Sequence, residues 1–329
     1  MKRHALPYAA SVLALAFALN ASGQEARPAA EDAKAPAAEE GKPAETPPVV
    51  DPLFAVPAVE LNGFGTDEPV IRADEPTRGV IHIPIADVKR MTAQHWEQFD
   101  CVSFKAKRWG KYEVRLTYTL RHASLGTQFR IAGQSLKKPL LASTKPKQVA
   151  YGQINIAEPG VVPFTLYIAA TGAEAGFDIQ DISLVPAPEG PMPAQAADGG
   201  VVLEAKSATT WSENMRYEPK AEKNCLGFWT SADDFAEWGF DVVKPGRYKV
   251  SVVHGCGGGN EGSEVAVKCA GQELKFTVKD TGGFQKWSEV AVGEIEIKEK
   301  GPQHLTVDPV TKKKSAVLDV SKVVLTPAG

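Results

Sequence analysis

From Phe235 the chain alternates apolar and polar residues with a period of two. Phe235-Ala-Glu-Trp-Gly-Phe-Asp-Val242 does so, as do Gly246–Val253, Glu264–Val267, Glu273–Val278, Val290–Ile297, His304–Val307 and Val317–Leu325. Alternation of this kind marks strands with one buried face. Turn signals separate the segments: Lys244-Pro-Gly, Gly255-Cys-Gly-Gly-Gly, Ala270-Gly-Gln, Asp280-Thr-Gly-Gly and Lys300-Gly-Pro. The same texture begins near Phe99, with Tyr112–Tyr118, Gln128–Ile131, Phe164–Ile168 and Ile179–Val185. Short strands at this spacing, with no long 3.6-period run, predict an all-β chain of antiparallel β-sandwiches. Trp238 and Trp287 fall at inward positions of this alternation, whereas Trp211, Tyr217 and Trp229 fall on less regular segments.

The pattern occurs twice. Val149-Ala-Tyr-Gly-Gln-Ile-Asn-Ile156 returns as Val290-Ala-Val-Gly-Glu-Ile-Glu-Ile297, and Ala132-Gly-Gln-Ser-Leu136 as Ala270-Gly-Gln-Glu-Leu274. A repeat of roughly 140 residues is domain-sized, too long for a solenoid unit. The expected organisation is a first sandwich over 51–188, a Pro/Ala/Gly-rich linker over 189–200 and a second sandwich over 201–329.

What precedes them reads differently. Lys2-Arg3-His4 and the apolar run Leu6–Leu19 have the form of a signal peptide over 1–23, too short to span a bilayer. Residues 24–50 are Ala, Pro, Glu and Lys with little to bury, so a disordered tether is expected. No other segment is apolar enough to cross a membrane, which predicts an exported chain, periplasmic or extracellular. The net charge of −3 gives no reason to expect nucleic acid. Of the four cysteines, Cys225 and Cys256 stand near loop ends and make the better guess for a disulfide, while Cys101 and Cys269 lie in strand-like runs.

A family resemblance emerges in the second half. Leu203-Glu-Ala-Lys206, Gly227-Phe-Trp-Thr-Ser-Ala-Asp-Asp-Phe-Ala-Glu-Trp238 and Val243-Lys-Pro-Gly-Arg-Tyr-Lys-Val250 resemble the opening of a galactose-binding-like jelly roll. Gly259-Asn-Glu-Gly-Ser-Glu-Val265 and Val278-Lys-Asp-Thr-Gly-Gly-Phe-Gln-Lys-Trp287 add to it. The likeness is to carbohydrate-binding module families 6 and 35, particularly accessory modules of exported bacterial sulfatases and α-L-fucosidases. It covers 200–329 directly and the first half only through the repeat.

The resemblance implies two sites. A structural calcium would rest on Glu204 and Asp319, oxygen donors suited to a hard cation, although Lys206 stands where a further acidic or amide residue is usual. A sugar platform would use Phe284 after the Thr-Gly-Gly turn, with Tyr217 as opposing ring and Trp229 and Asn260 nearby. Rings take the C–H faces of sugars and amides take the hydroxyls. Phe284 replaces a commoner tryptophan, and Val317 stands in place of a frequent ligand-binding asparagine. The first copy lacks an aromatic counterpart, its loop reading Ser143-Thr-Lys-Pro-Lys147.

Catalytic signatures are missing: there is no H-E-x-x-H, G-x-S-x-G, Walker loop or sulfatase nucleophile motif. Gly255–Gly259 lacks the lysine and helix of a phosphate loop. The expectation is an exported, non-catalytic protein that binds polysaccharide or glycan through loop aromatics of the second sandwich. The alternatives are an adaptor contacting other exported proteins or the cell envelope, and a polysaccharide hydrolase or lyase.

Overall fold

The computed structural model describes residues 72, 74–92, 96–102, 104–169 and 176–329, apart from the side chains of His122 and Ala123. The expected signal peptide and tether lie outside the described residues. Among those residues the regular elements are β-strands and two short 3-10 turns, Ile85–Asp87 and Ala205–Ser207. Every ladder between strands is antiparallel. The strands build two tandem β-sandwiches, each with its own core.

The first is a seven-stranded sheet curled onto itself, with a small two-stranded sheet, Lys105–Ala106 against Gly160–Val161, beside it. Its longest strands, Gly110–Ile131 and Gln134–Ile156, form a continuous hairpin. Residues 112–120 pair with Phe177–Pro186, whereas 127–131 pair with Phe164–Ile168, so a single strand serves both layers. Inside lie Tyr118, Phe129, Phe164 and Leu166, each 2% exposed or less.

The second has two separate sheets. One runs in the order Arg216–Glu218, Cys225–Gly227, Asp319–Pro327, Gly246–Cys256, Gly283–Ile297, with Val201–Glu204 also pairing Asp319–Pro327. The other runs Thr209–Trp211, Phe235–Val242, Gly301–Thr311, Glu264–Cys269, Gln272–Thr277. Trp238 is fully buried between them and its indole N–H donates to the Glu204 carbonyl at 2.8 Å. That bond removes the cost of burying the indole donor, leaving the favourable burial of its rings.

Two expectations are corrected here. Trp287 is 37% exposed rather than inward. Cys225, Cys256 and Cys269 are free thiols, and all four cysteines are buried. Strand Asp319–Pro327 separates the strands of Cys225 and Cys256, and only Cys256 belongs to the sandwich core, so the two thiols do not meet.

The sandwiches join through a built interface. The Arg216 guanidinium lies between the rings of Trp109 and Phe228, 3.7 and 3.6 Å from their centroids. Trp109 donates its indole N–H to the Tyr217 carbonyl at 3.2 Å, and Arg108 donates to the Thr210 hydroxyl and carbonyl at 2.7 and 3.0 Å. Phe228 is held at φ 60, a conformation that costs a bulky residue about 1–2 kcal/mol. A partly desolvated cation held close to two mutually perpendicular rings offsets such a cost.

Candidate functional site

The second sandwich breaks the hairpin that the first runs straight through. Strand Gly246–Cys256 stops, a loop follows over 257–263, and Glu264–Cys269 resumes; on the return, Gln272–Thr277 and Gly283–Ile297 are parted by 278–282. The sequence explains the break. Gly259, Gly262 and Gly282 adopt φ of 86, 98 and 84, conformations in which a side chain is strained. At Gly255 the constraint is steric: a Cβ there would lie 2.0 Å from the Phe284 carbonyl oxygen. The two backbones approach closely because the glycine is bare.

Polar side chains fix both loops. The Cys256 amide donates to the Thr281 hydroxyl oxygen at 2.8 Å, and the Asp280 carboxylate accepts from the Gly282 amide at 2.7 Å. The Asn260 side-chain oxygen accepts from the Ser315 hydroxyl at 2.7 Å and the Ala316 amide at 3.1 Å, tying the glycine loop to the segment before the last strand. The half-buried Phe284 ring rests on Gly257, where a Cβ would come within 3.0 Å of the ring edge. Asp280 lies beside Gly258, 3.3 Å from its Cβ position. The loop end therefore collects a supported ring, an exposed carboxylate and an amide.

Of the expected site residues, the structure brings Asn260 and Phe284 to these loops. Trp229 is a correction: it is 1% exposed, and its indole N–H donates inward to the Asp234 carbonyl at 3.2 Å. Tyr217 is also corrected as the opposing ring. Its strand and that of Phe284 are the two edges of the six-stranded sheet. Four strand spacings of about 4.8 Å place them too far apart to sandwich one sugar. The Tyr217 hydroxyl donates instead to the Asn224 side-chain oxygen at 2.6 Å. Asp280 was missed, although its place in Asp-Thr-Gly-Gly marks a loop carboxylate that caps its own turn.

The calcium ligands do not fit. Glu204 is half exposed and paired with Lys206 at 2.7 Å, and its backbone partner in the sheet is Lys322. Asp319 is buried elsewhere, with Glu218 and Cys225; their ligand atoms all lie within 4.8 Å of one another. Burial, then the charge of Glu218, pushes the Asp319 carboxyl up to about 7, and burial also raises the Cys225 thiol. Lys223 donates to Glu218, and Gln285 donates to Asp319 at 3.1 Å. A protonated thiol and two carboxylates, one already bound to an ammonium, fall short of the six to eight oxygens that calcium takes.

His254 is 3% exposed, and neither ring nitrogen has a hydrogen-bond partner within ordinary geometry; it packs on Phe276 at 5.7 Å between centroids. Burial holds its pKa below the usual value, so the ring is kept neutral.

A family described as a domain of unknown function (DUF5077) matches residues 207–328. No curated protein matches the sequence. Among solved structures, a family 35 carbohydrate binding module from Clostridium thermocellum is similar at TM-score 0.33 and 14% identity, over 39% of this chain and 98% of the module. The C-terminal CBM6 of a marine laminarinase from Zobellia galactanivorans is similar at TM-score 0.30 and 18% identity, over 39% and 98%. A Paenibacillus xanthan lyase is similar at TM-score 0.31 and 14% identity, over 78% of this chain; the chain spans a quarter of that lyase's length. Likenesses of this size assign the chain neither a family nor a ligand.

Proposed function

We propose that this is an exported, non-catalytic glycan-binding protein whose second sandwich grips saccharide at the open loop end. One observation carries the reading: the Phe284 ring is supported by Gly257 and left half exposed beside Asp280 and Asn260, at the place where the hairpin breaks. A ring held from behind offers its free face to the C–H face of a sugar, and the carboxylate and amide supply acceptors and donors for hydroxyls. Tyr217 takes no part in this grip. Calcium takes no part either, since Glu204 is spent on Lys206.

The test is a glycan array followed by titration of the best ligand. Phe284→Ala is expected to lower affinity at least tenfold, with a melting temperature close to that of the parent. A chelator is expected to leave binding unchanged, and incubation with the bound polysaccharide to release no reducing ends. Full binding by Phe284→Ala would remove the loop site, and reducing-end release would replace binding with hydrolysis.

A further inference from the structure

Between the two sandwiches lies an open cleft of about 320 Å³, at the lower end of the range for small-ligand sites, about 300–1,000 Å³. Its floor is the outer face of the second module's five-stranded sheet, where Glu237, Gly239 and His304 lie. The first module supplies the opposite wall with Arg115 and Gln153, and Pro188 at its end and Met192 in the linker close one side. Clefts between modules are a preferred place for ligands.

The polar groups are already oriented. Arg72 donates to both Glu237 oxygens at 2.7 and 3.0 Å, the Trp211 indole donates to the same carboxylate at 2.7 Å, and His304 Nδ1 lies 2.9 Å from it. Burial opposes the Glu237 charge, yet the hydrogen bonds from Arg72 and Trp211 outweigh it and hold the pKa below the ordinary value. Across the cleft Arg115 forks Glu75 and donates to Glu113 at 2.7 Å. Each guanidinium has five donors, more than these pairs consume, and Glu75 and Glu113 have lone pairs to spare, whereas the four contacts on Glu237 fill its own. With two guanidiniums against three carboxylates, each carboxylate already paired, the surface disfavours an anion and offers a cation no unpaired carboxylate. It suits adjacent hydroxyls, which each donate and accept, and its side chains have lost their rotamer freedom beforehand.

Gly239 supplies the second argument. It sits inside strand Phe235–Val242, opposite His304, where a Cβ would meet only the His304 ring at 3.7 and 3.9 Å. Those are ordinary contacts, and Gly239 is absent from the glycines at positive φ. Glycine weakens a strand interior and marks places where something approaches closely. Here no backbone requires it, and what it leaves is room in the cleft.

We propose that this cleft is a second saccharide subsite, taking an uncharged sugar unit through its hydroxyls, separate from the Phe284 loop. The experiment arrays neutral, uronic-acid and amino-sugar oligosaccharides against the full chain and three variants: Gly239→Val, Gln153→Trp and Phe284→Ala. Gly239→Val fills the floor, and Gln153→Trp brings bulk from the opposite wall without touching an ion pair. The expected result is that both fillers lower affinity for neutral glycans at least tenfold, while melting temperatures hold or, for Gly239→Val, rise. If both fillers bind every glycan as the parent does, the cleft proposal falls whatever Phe284→Ala does. If the fillers abolish binding and Phe284→Ala does not, the cleft stands and the loop site falls. A preference for charged sugars that the fillers abolish would overturn the assignment to neutral ligand, and a parent that binds no glycan would overturn both sites.

Discussion

The two sandwiches reverse their longest hairpin with the same parts. Ala132-Gly133 turn at φ 49 and 72, and Ala270-Gly271 at φ 50 and 72, both with the positive pair that a tight hairpin turn demands. Gln134 then exchanges two hydrogen bonds with the backbone of Asn155, and Gln272 does the same with Glu296. A glycine follows on each return strand, Gly152 at φ 146 against Leu136 and Gly293 at φ 148 against Leu274. The middles of the hairpins differ. The first continues as unbroken strands, and the second replaces that stretch with glycine loops holding Asn260, Asp280 and Phe284. The scaffold therefore lies in the turn and the bulge, and the chemistry lies in the interruption. A module with the first and without the second has the frame of a site and no site.

The sharpest way to break the comparison acts at the interruption itself. Gly255→Ala sets a Cβ against the Phe284 carbonyl oxygen at 2.0 Å, a backbone contact that cannot swing aside. Gly126 in the first module has nothing within 4 Å of its Cβ position and is not at positive φ. The expected loss for Gly255→Ala is about 3 kcal/mol, at the upper end of overpacking costs, against less than about 0.5 kcal/mol for Gly126→Ala. Urea denaturation measures both, and equal losses would show that the interruption imposes no constraint of its own.

The next effect belongs to the buried carboxyl at the edge of that break. Asp319 is raised to about 7 in the folded chain from 3.8. Between these values the folded state holds a proton that the unfolded state has lost, so its contribution to stability declines as pH rises and is gone above the folded value. The first module's matching residue, Asp178, is exposed and has no such burial. Asp319→Asn is therefore expected to flatten the fall in stability between pH 5 and pH 8 by about 2 kcal/mol. Parallel slopes for Asp319→Asn and its parent would mean that the carboxyl titrates normally.

Much of the architecture was legible because alternation reports burial directly: Gly246–Val253 and Phe235–Val242 read as strands and are strands. Trp287 was misplaced for an identifiable reason. Ile295 and Ile297 are buried, and counting back by twos from them puts Trp287 inward. The register shifts where Val250 and Ser251 face Gly293 and Ala291, so inward positions pass to Val292 and Val290. One extra residue turns every earlier side chain over, and the lone glycine inside an alternating run was the available signal. Trp229 could not be placed because its segment has no period, and its burial comes from packing that local pattern does not encode. Tyr217 and Phe284 were paired as the family resemblance implies. Their places at opposite edges follow from sheet topology, which depends on contacts between distant segments.

The smallest effect probes the part the modules share. Ala at Gly152 would place its Cβ 3.1 Å from a Leu136 methyl, and Ala at Gly293 would meet a Leu274 methyl at 2.9 Å. Both glycines hold nearly the same positive φ, which Ala adopts only with strain, while the opposing atom is the far end of a leucine that can rotate away. Backbone strain therefore sets most of the cost, and it is common to both. Each substitution is expected to destabilise its own module by about 1–1.5 kcal/mol, with the two losses within about 0.5 kcal/mol of each other. Hydrogen exchange resolved by residue measures each module separately, because protection reports local opening. A loss confined to Gly293→Ala would show that the second hairpin relies on its bulge to hold the broken strands in register, and that the first, being continuous, does not.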